Sequence, residues 1–96
     1  MDNIYIITLY DYYGELLTET QKDYFESYYF MNLSLQEISL EKSVSRNAVH
    51  KTLNAIVDKL NYYEEKLNLY DNREKINKIL KKIEDEKIKE EINELI

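Results

Sequence analysis

The stretch Ser34-Leu-Gln-Glu-Ile-Ser-Leu-Glu-Lys-Ser-Val-Ser-Arg-Asn-Ala-Val-His-Lys-Thr-Leu-Asn-Ala-Ile-Val-Asp-Lys-Leu60 decides the fold. It opens with Ser34-Leu-Gln-Glu37, the pattern of a capping box, in which the serine hydroxyl and the glutamate each take one unpaired amide at a helix start. A short helix follows, with Leu35 and Ile38 facing inward. Val44-Ser45 then reads as a staple residue and an N-cap, a cap being worth ~1 kcal/mol. The next helix starts at Arg46 and carries Val49, Leu53, Ile56, Leu60 and Tyr63 at helical spacing. Leu35, Ile38, Val44, Val49 and Leu53 lock the two helices at a steep angle, which makes a helix-turn-helix over 34–60. The outer face of the second helix is left to Arg46, Asn47, His50, Lys51 and Asn54. Ser45 caps the end whose amides and dipole attract anions, and a phosphate fits there. Ser45, Arg46, Asn47, His50, Lys51 and Asn54 are therefore the candidate contact residues for nucleic acid or another partner.

Working outward, Ile6, Leu9, Tyr10, Tyr13, Leu16 and Leu17 recur at helical spacing and predict a first helix over roughly 3–17. Thr18-Glu-Thr-Gln21 is another capping box and opens a second helix with Tyr24, Phe25 and Tyr28 on one face. The helix begun at Arg46 is expected to run to about Leu67. Asp71-Asn-Arg-Glu74 is a weaker third box and is read as the start of a last helix. There Ile76, Ile79, Leu80 and Ile83 share one stripe, while Ile88, Ile92, Leu95 and Ile96 fall roughly 140° around from it. One straight helix cannot bury both stripes on one core. Either a partner covers the second, as an association surface in a symmetric homodimer, or the helix breaks near Asp85 and folds back. The expected organisation is a helical domain over 1–70 and a charged C-terminal helix or helices over 71–96. The fold class is all-α, with about five helices.

Composition excludes several chemistries. The 96 residues hold one glycine, no proline and no cysteine. That leaves out a disulfide scaffold, a thiolate zinc site, a cysteine nucleophile and a glycine-rich phosphate loop. No apolar run approaches the ~18 residues of a membrane span, and no signal peptide is visible, so a cytoplasmic protein without membrane insertion is expected. His50 is the only histidine, and no His–acid constellation is present. No catalytic residue, metal or cofactor is expected. The paired acids Glu64-Glu65 and Glu90-Glu91 read as solvated helix faces, and the tyrosines at 10, 13, 24 and 28 read as core with hydroxyls at its rim. Net charge is −6. It is uneven: one lysine meets six acids over 1–33, four basic groups meet three acids over 34–60, and eight meet ten over 61–96. Only the helix-turn-helix segment is not acidic.

Tyr10-Asp-Tyr-Tyr-Gly-Glu-Leu-Leu-Thr18, Gln21-Lys-Asp-Tyr-Phe-Glu-Ser-Tyr-Tyr29, Leu33-Ser-Leu-Gln-Glu-Ile38, Val44-Ser-Arg-Asn-Ala-Val49 and Tyr63-Glu-Glu-Lys-Leu67 together resemble the YlxM family. The resemblance covers about residues 9–72. It implies a helix-turn-helix domain like sigma-factor region four. It also implies a non-enzymatic accessory or regulatory factor of the signal recognition particle, contacting its protein or RNA. Ser39 and Ser43 stand where the motif commonly has Ala and Gly. Ser39 places a hydroxyl at a close helix contact, where it can bond back to a carbonyl. Ser43 must take the turn conformation that glycine adopts most cheaply. His50, Asn54 and Ala55 stand where family members often carry an aromatic residue and a basic pair, which removes positive charge from the outer face.

The alternative function is a DNA-binding transcriptional regulator that lays residues 45–55 in a major groove. Phosphate neutralisation by Lys and Arg supplies non-specific affinity for DNA. Arg46 and Lys51, joined by Lys42 and Lys59, make a small footprint on an acidic chain, so DNA ranks second.

Overall fold

The computed structural model describes residues 3–96. Six α-helices follow one another: α1 Asn3–Tyr13, α2 Glu19–Tyr29, α3 Leu35–Lys42, α4 Arg46–Leu67, α5 Leu69–Leu80 and α6 Glu86–Leu95. No strand occurs among the described residues. The all-helical class holds, with one helix more than expected.

The two strong capping boxes form as read. Thr18 accepts from the Gln21 amide while Gln21 accepts from the Thr18 amide. Ser34 and Glu37 do the same for α3. The Ser45 hydroxyl accepts from the Ala48 amide at 3.0 Å and starts α4. The first helix stops earlier than its apolar spacing predicts. α1 ends at Tyr13, and Gly14–Leu16 form a 3-10 turn. Gly14 is buried beneath the Tyr10 ring, where a Cβ would come within 3.2 Å of that ring. The turn changes the register. Leu17 is buried, whereas Leu16 points to solvent.

α4 is the central element and packs against α1, α2, α3 and α5. Ile6, Leu9 and Tyr13 from α1, Phe25 from α2, Ile38 from α3 and Val49, Ile56 and Leu60 from α4 meet in one core. The Tyr10 ring stacks on Phe25 with centroids 4.1 Å apart, and its hydroxyl donates to Glu26 at 2.6 Å. Burial, with the hydrogen bond to Glu26 behind it, pushes the Tyr10 phenol well above its ordinary value. Two members of the expected lock are looser. Leu35 is half-buried and Val44 is 40% exposed, so Ile38, Val49 and Leu53 carry most of the α3–α4 contact. Tyr28, expected beside Tyr24 and Phe25, is instead at the surface.

The junction after α4 differs most from the sequence reading. α5 begins at Leu69, ahead of the Asp71-Asn-Arg-Glu74 pattern, and Asn68 between the helices is left-handed at φ 54° with no side-chain cap bond. The cap comes from elsewhere. The Glu64 carboxylate accepts from the Tyr70 amide at 3.1 Å and the Asp71 amide at 3.0 Å. The Tyr13 hydroxyl accepts from the Leu69 amide at 3.0 Å and donates to Glu64 at 2.5 Å. Glu64 is thus buried, while Glu65 alone of the pair is solvated. The Tyr13 hydroxyl likewise lies inside, not at the rim. Burial, reinforced by the bond to Glu64, pushes the Tyr13 phenol up to about 12.

The last segment breaks. α5 ends at Leu80, and Asp85 caps α6 by accepting from the Lys87 and Ile88 amides. Of the first stripe, Leu80 is buried, Ile76 and Ile83 are half-buried, and Ile79 is exposed. No residue of α6 is buried.

Two outcomes follow from this packing. Glu64→Ala strands one buried and two part-buried donors, and its loss is expected to be about 2–4 kcal/mol in urea unfolding. Glu64→Gln keeps the shape but loses an acceptor, at about half that cost. An unchanged midpoint for Glu64→Ala would show that the carboxylate is not a structural keystone. Deleting residues 86–96 removes one helix from the circular dichroism signal and leaves the urea midpoint of the rest in place. A collapsed midpoint would place α6 in the core.

Candidate nucleic-acid interface

The face singled out in the sequence is presented as one surface. Ser45, Arg46, Asn47, His50, Lys51 and Asn54 are all exposed. Arg46, His50 and Asn54 follow at four-residue intervals and so line one edge of α4. The Asn54 amide nitrogen lies 3.4 Å from His50 Nε2. Neither Arg46 nor Lys51 has an ion-pair partner among the described residues.

The turn that sets this face carries two serines that act as anticipated. Ser43 ends α3 in the left-handed conformation, φ 57° and ψ 43°, a region unfavourable for a residue with a Cβ. Ser39 is buried, and its hydroxyl donates to the Gln36 carbonyl at 2.7 Å. A buried hydroxyl at the helix contact is thereby satisfied within its own helix.

Two cations counted towards the face are engaged elsewhere. Lys42 pairs with Asp23 and sits 5.6 Å over the Tyr24 ring. Lys59 reaches the Gln21 side-chain oxygen at 3.4 Å. Both tie the helix-turn-helix to α2. The Asp23 pair takes Lys42 out of the electrostatic footprint; Lys59 keeps its charge but is half-buried, so the exposed cations of the face are Arg46 and Lys51.

A groove beside α4 was not foreseen. Asn3, Tyr28, Tyr29, Leu35, His50 and Asn54 line a space of about 300 Å³. A second space of about 310 Å³ shares Asn3, Tyr28 and Tyr29 with it. Among the described residues, no aspartate, glutamate, lysine or arginine lines either space. Tyr28 packs edge-on against Tyr29, and Tyr29 stacks on Phe25. The only sequence signal was Tyr28, which the helical spacing assigned to the core. Among the described residues, no group of three or more acidic or histidine side chains is placed to hold a metal ion.

The proposed association surface splits. Ile92 and Ile96 are half-buried, whereas Ile88 is 45% and Leu95 85% exposed. Leu95 and Ile96 line a shallow apolar cleft with Tyr12, Leu69 and Ile76. Of the two sequence-stated options for this stripe, the break near Asp85 is the one found.

An α3–α4 pair joined by a short turn, with the outer face of α4 left exposed, defines a helix-turn-helix protein. The family described as "Putative helix-turn-helix protein, YlxM / p13 like" matches over residues 1–96, and the chain belongs to it. Similar proteins include a UPF0122 protein of Desulforamulus reducens, 56% identical over 43 residues, covering 45% of this chain and 37% of that one. A UPF0122 protein of Thermoanaerobacter sp. is 46% identical over 52 residues, covering 54% of this chain and 44% of that one. One from Ureaplasma urealyticum is 46% identical over 52 residues, covering 54% and 52%. The chain thus spans about half or less of the length of these relatives. No helix among the described residues is long and apolar enough to cross a membrane.

If the α4 face meets phosphates, Arg46→Ala and Lys51→Ala each weaken binding and lower the slope of log affinity against log salt by about one unit. Lys42→Ala, whose charge is already paired, leaves that slope unchanged. Two wild-type slopes for Arg46→Ala and Lys51→Ala would remove this face from the interface.

Proposed function

We propose that this protein is a non-enzymatic, cytoplasmic accessory factor of the signal recognition particle, and that it contacts the particle through the exposed face of α4. The observation that carries the reading is the pairing of an open, Ser45-capped recognition helix with only two exposed cations on the candidate face, Arg46 and Lys51. A helix-turn-helix family membership supports nucleic-acid binding. The association of the resembling family with the particle supports that choice of partner. Two cations on a chain of −6 give little of the phosphate neutralisation that duplex DNA binding draws on. That ranks the particle, with RNA already assembled on protein, ahead of duplex DNA.

The function needs no chemistry from this chain. Its effect is on a partner, by occupying a surface or stabilising one arrangement of the particle. Self-association through Ile88 and Leu95 is a separate proposal, motivated by their exposure on a helix with no buried residue. Sedimentation of the full chain at high concentration tests it, and a monomer there rejects it.

The deciding experiment is capture of partners on the tagged full chain, with and without ribonuclease and deoxyribonuclease. Recovery of the particle, reduced by ribonuclease and by Arg46→Ala, is the expected outcome. Recovery of DNA alone, lost with deoxyribonuclease, would replace the particle with the transcriptional-regulator reading. GTP turnover by the homogeneous protein that disappears on changing His50 or Arg46 to Ala would overturn the non-enzymatic assignment.

A further inference from the structure

We infer that the groove between α2 and α4 receives an unpaired nucleobase of single-stranded RNA, with Tyr28 as its stacking surface and Asn3, His50 and Asn54 at its polar edge. The inference rests on the nucleic-acid reading above and supplies what that reading lacks, a source of affinity other than phosphate contact.

The groove opens at the recognition face itself, since His50 and Asn54 belong to both. Its lining suits a flat, uncharged, amphipathic ligand. Among the described residues, no acid, lysine or arginine lines either space, so none of them offers an anion or cation a counter-charge there. A base has none to satisfy. It presents two apolar faces and a rim of donors and acceptors, which aromatic faces and side-chain amides match. Asn3 and Asn54 each offer both a donor and an acceptor, and a neutral His50 does too.

Tyr28 is held in place from below. Its ring meets Tyr29 edge-on at 5.0 Å, Tyr29 stacks on Phe25 at 4.4 Å, and Phe25 is fully buried. This aromatic column fixes the outermost ring before any ligand arrives, which lowers the ordering cost of binding. Tyr28 itself is 37% exposed, so its surface is open to a ligand. Arg46 and Lys51, unpaired on the adjoining face, stand where phosphates flanking an inserted base would run. A duplex keeps its bases stacked and cannot fill the groove without unpairing. An unpaired base in a loop can.

The test uses the full chain and an RNA hairpin with fluorescent aminopurine placed either in the loop or in the stem. Anisotropy reads binding, and aminopurine emission reads stacking. The expected result is binding with quenching from the loop position alone. Tyr28→Ala should weaken binding on the order of tenfold and remove the quenching, while Tyr28→Phe retains both. Arg46→Ala should weaken binding yet leave the quenching at saturation intact. Circular dichroism of Tyr28→Ala confirms that this surface change leaves the fold in place. Binding that depends on Arg46 but shows no loop quenching, or is indifferent to Tyr28→Ala, overturns the base pocket and leaves the α4 contact standing. Tighter binding to a blunt duplex than to the hairpin also overturns it. Absence of binding to any RNA at low salt overturns both together.

Discussion

Three helices are joined through one buried carboxylate. Glu64 lies near the end of α4, accepts a phenolic hydrogen bond from α1 and takes two amides from the start of α5. Burying a carboxylate is costly unless hydrogen bonds replace the lost water, and the exposed amides of a helix N-terminus are suited to do so. The need is mutual. Asn68 leaves α5 without a cap of its own, so α5 can begin only where Glu64 and Tyr13 meet its first amides. That condition fixes where the chain leaves the domain after α4. Tyr13 is at once core aromatic, donor to Glu64 and acceptor from Leu69, so α1 cannot shift along α4 without uncapping α5.

Local rules made the helix-turn-helix legible. A capping box needs only residues three apart, and those at Thr18 and Ser34 form as written. The left-handed Ser43 and the inward hydroxyl of Ser39 were also readable, since each is set by its own turn. The α4–α5 junction was not, because its cap is supplied by residues of α1 and α4. Asp71-Asn-Arg-Glu74 has the letters of a start signal, but the cap from Glu64 and Tyr13 places the helix start three residues earlier, with Asn68 in the N-cap position. Glu64 looked like its neighbour Glu65. Nothing within one turn distinguishes a carboxylate that will meet Tyr13, 51 residues away, from one that faces water.

The C-terminal segment was partly legible for a similar reason. Two apolar stripes about 140° apart cannot both face one core on a straight helix, so a break or a partner was required, and Asp85 was available as a cap. Which option holds depends on whether the returning helix finds a surface. It finds a limited one: Ile92 and Ile96 are half-covered, while Leu95 remains open beside Tyr12 and Leu69. The long axis of 56 Å against 25 and 23 Å reflects a final pair of helices that extends from the domain more than it thickens it.

The candidate interface combines what was legible with what was not. Exposure of the α4 face follows from helical periodicity, because Val49, Leu53, Ile56 and Leu60 take the inward positions. The strength of that face could not be read the same way. Counting cations over 34–60 gave four, but Lys42 is paired with Asp23 and lies over Tyr24, and Lys59 is drawn in against Gln21. The Lys42–Asp23 pair that steadies the motif also reduces its charge. What the face gains from α2 is aromatic instead: three residues past the buried Phe25, the chain sends Tyr28 outward to the edge of α4. Charge attracts any nucleic acid at long range and fades with salt. Stacking acts only at contact, depends little on salt and demands a base that is free to leave its helix. Under the proposed reading, a face with little charge beside an aromatic groove suits an irregular single-stranded target better than the uniform phosphate surface of a duplex.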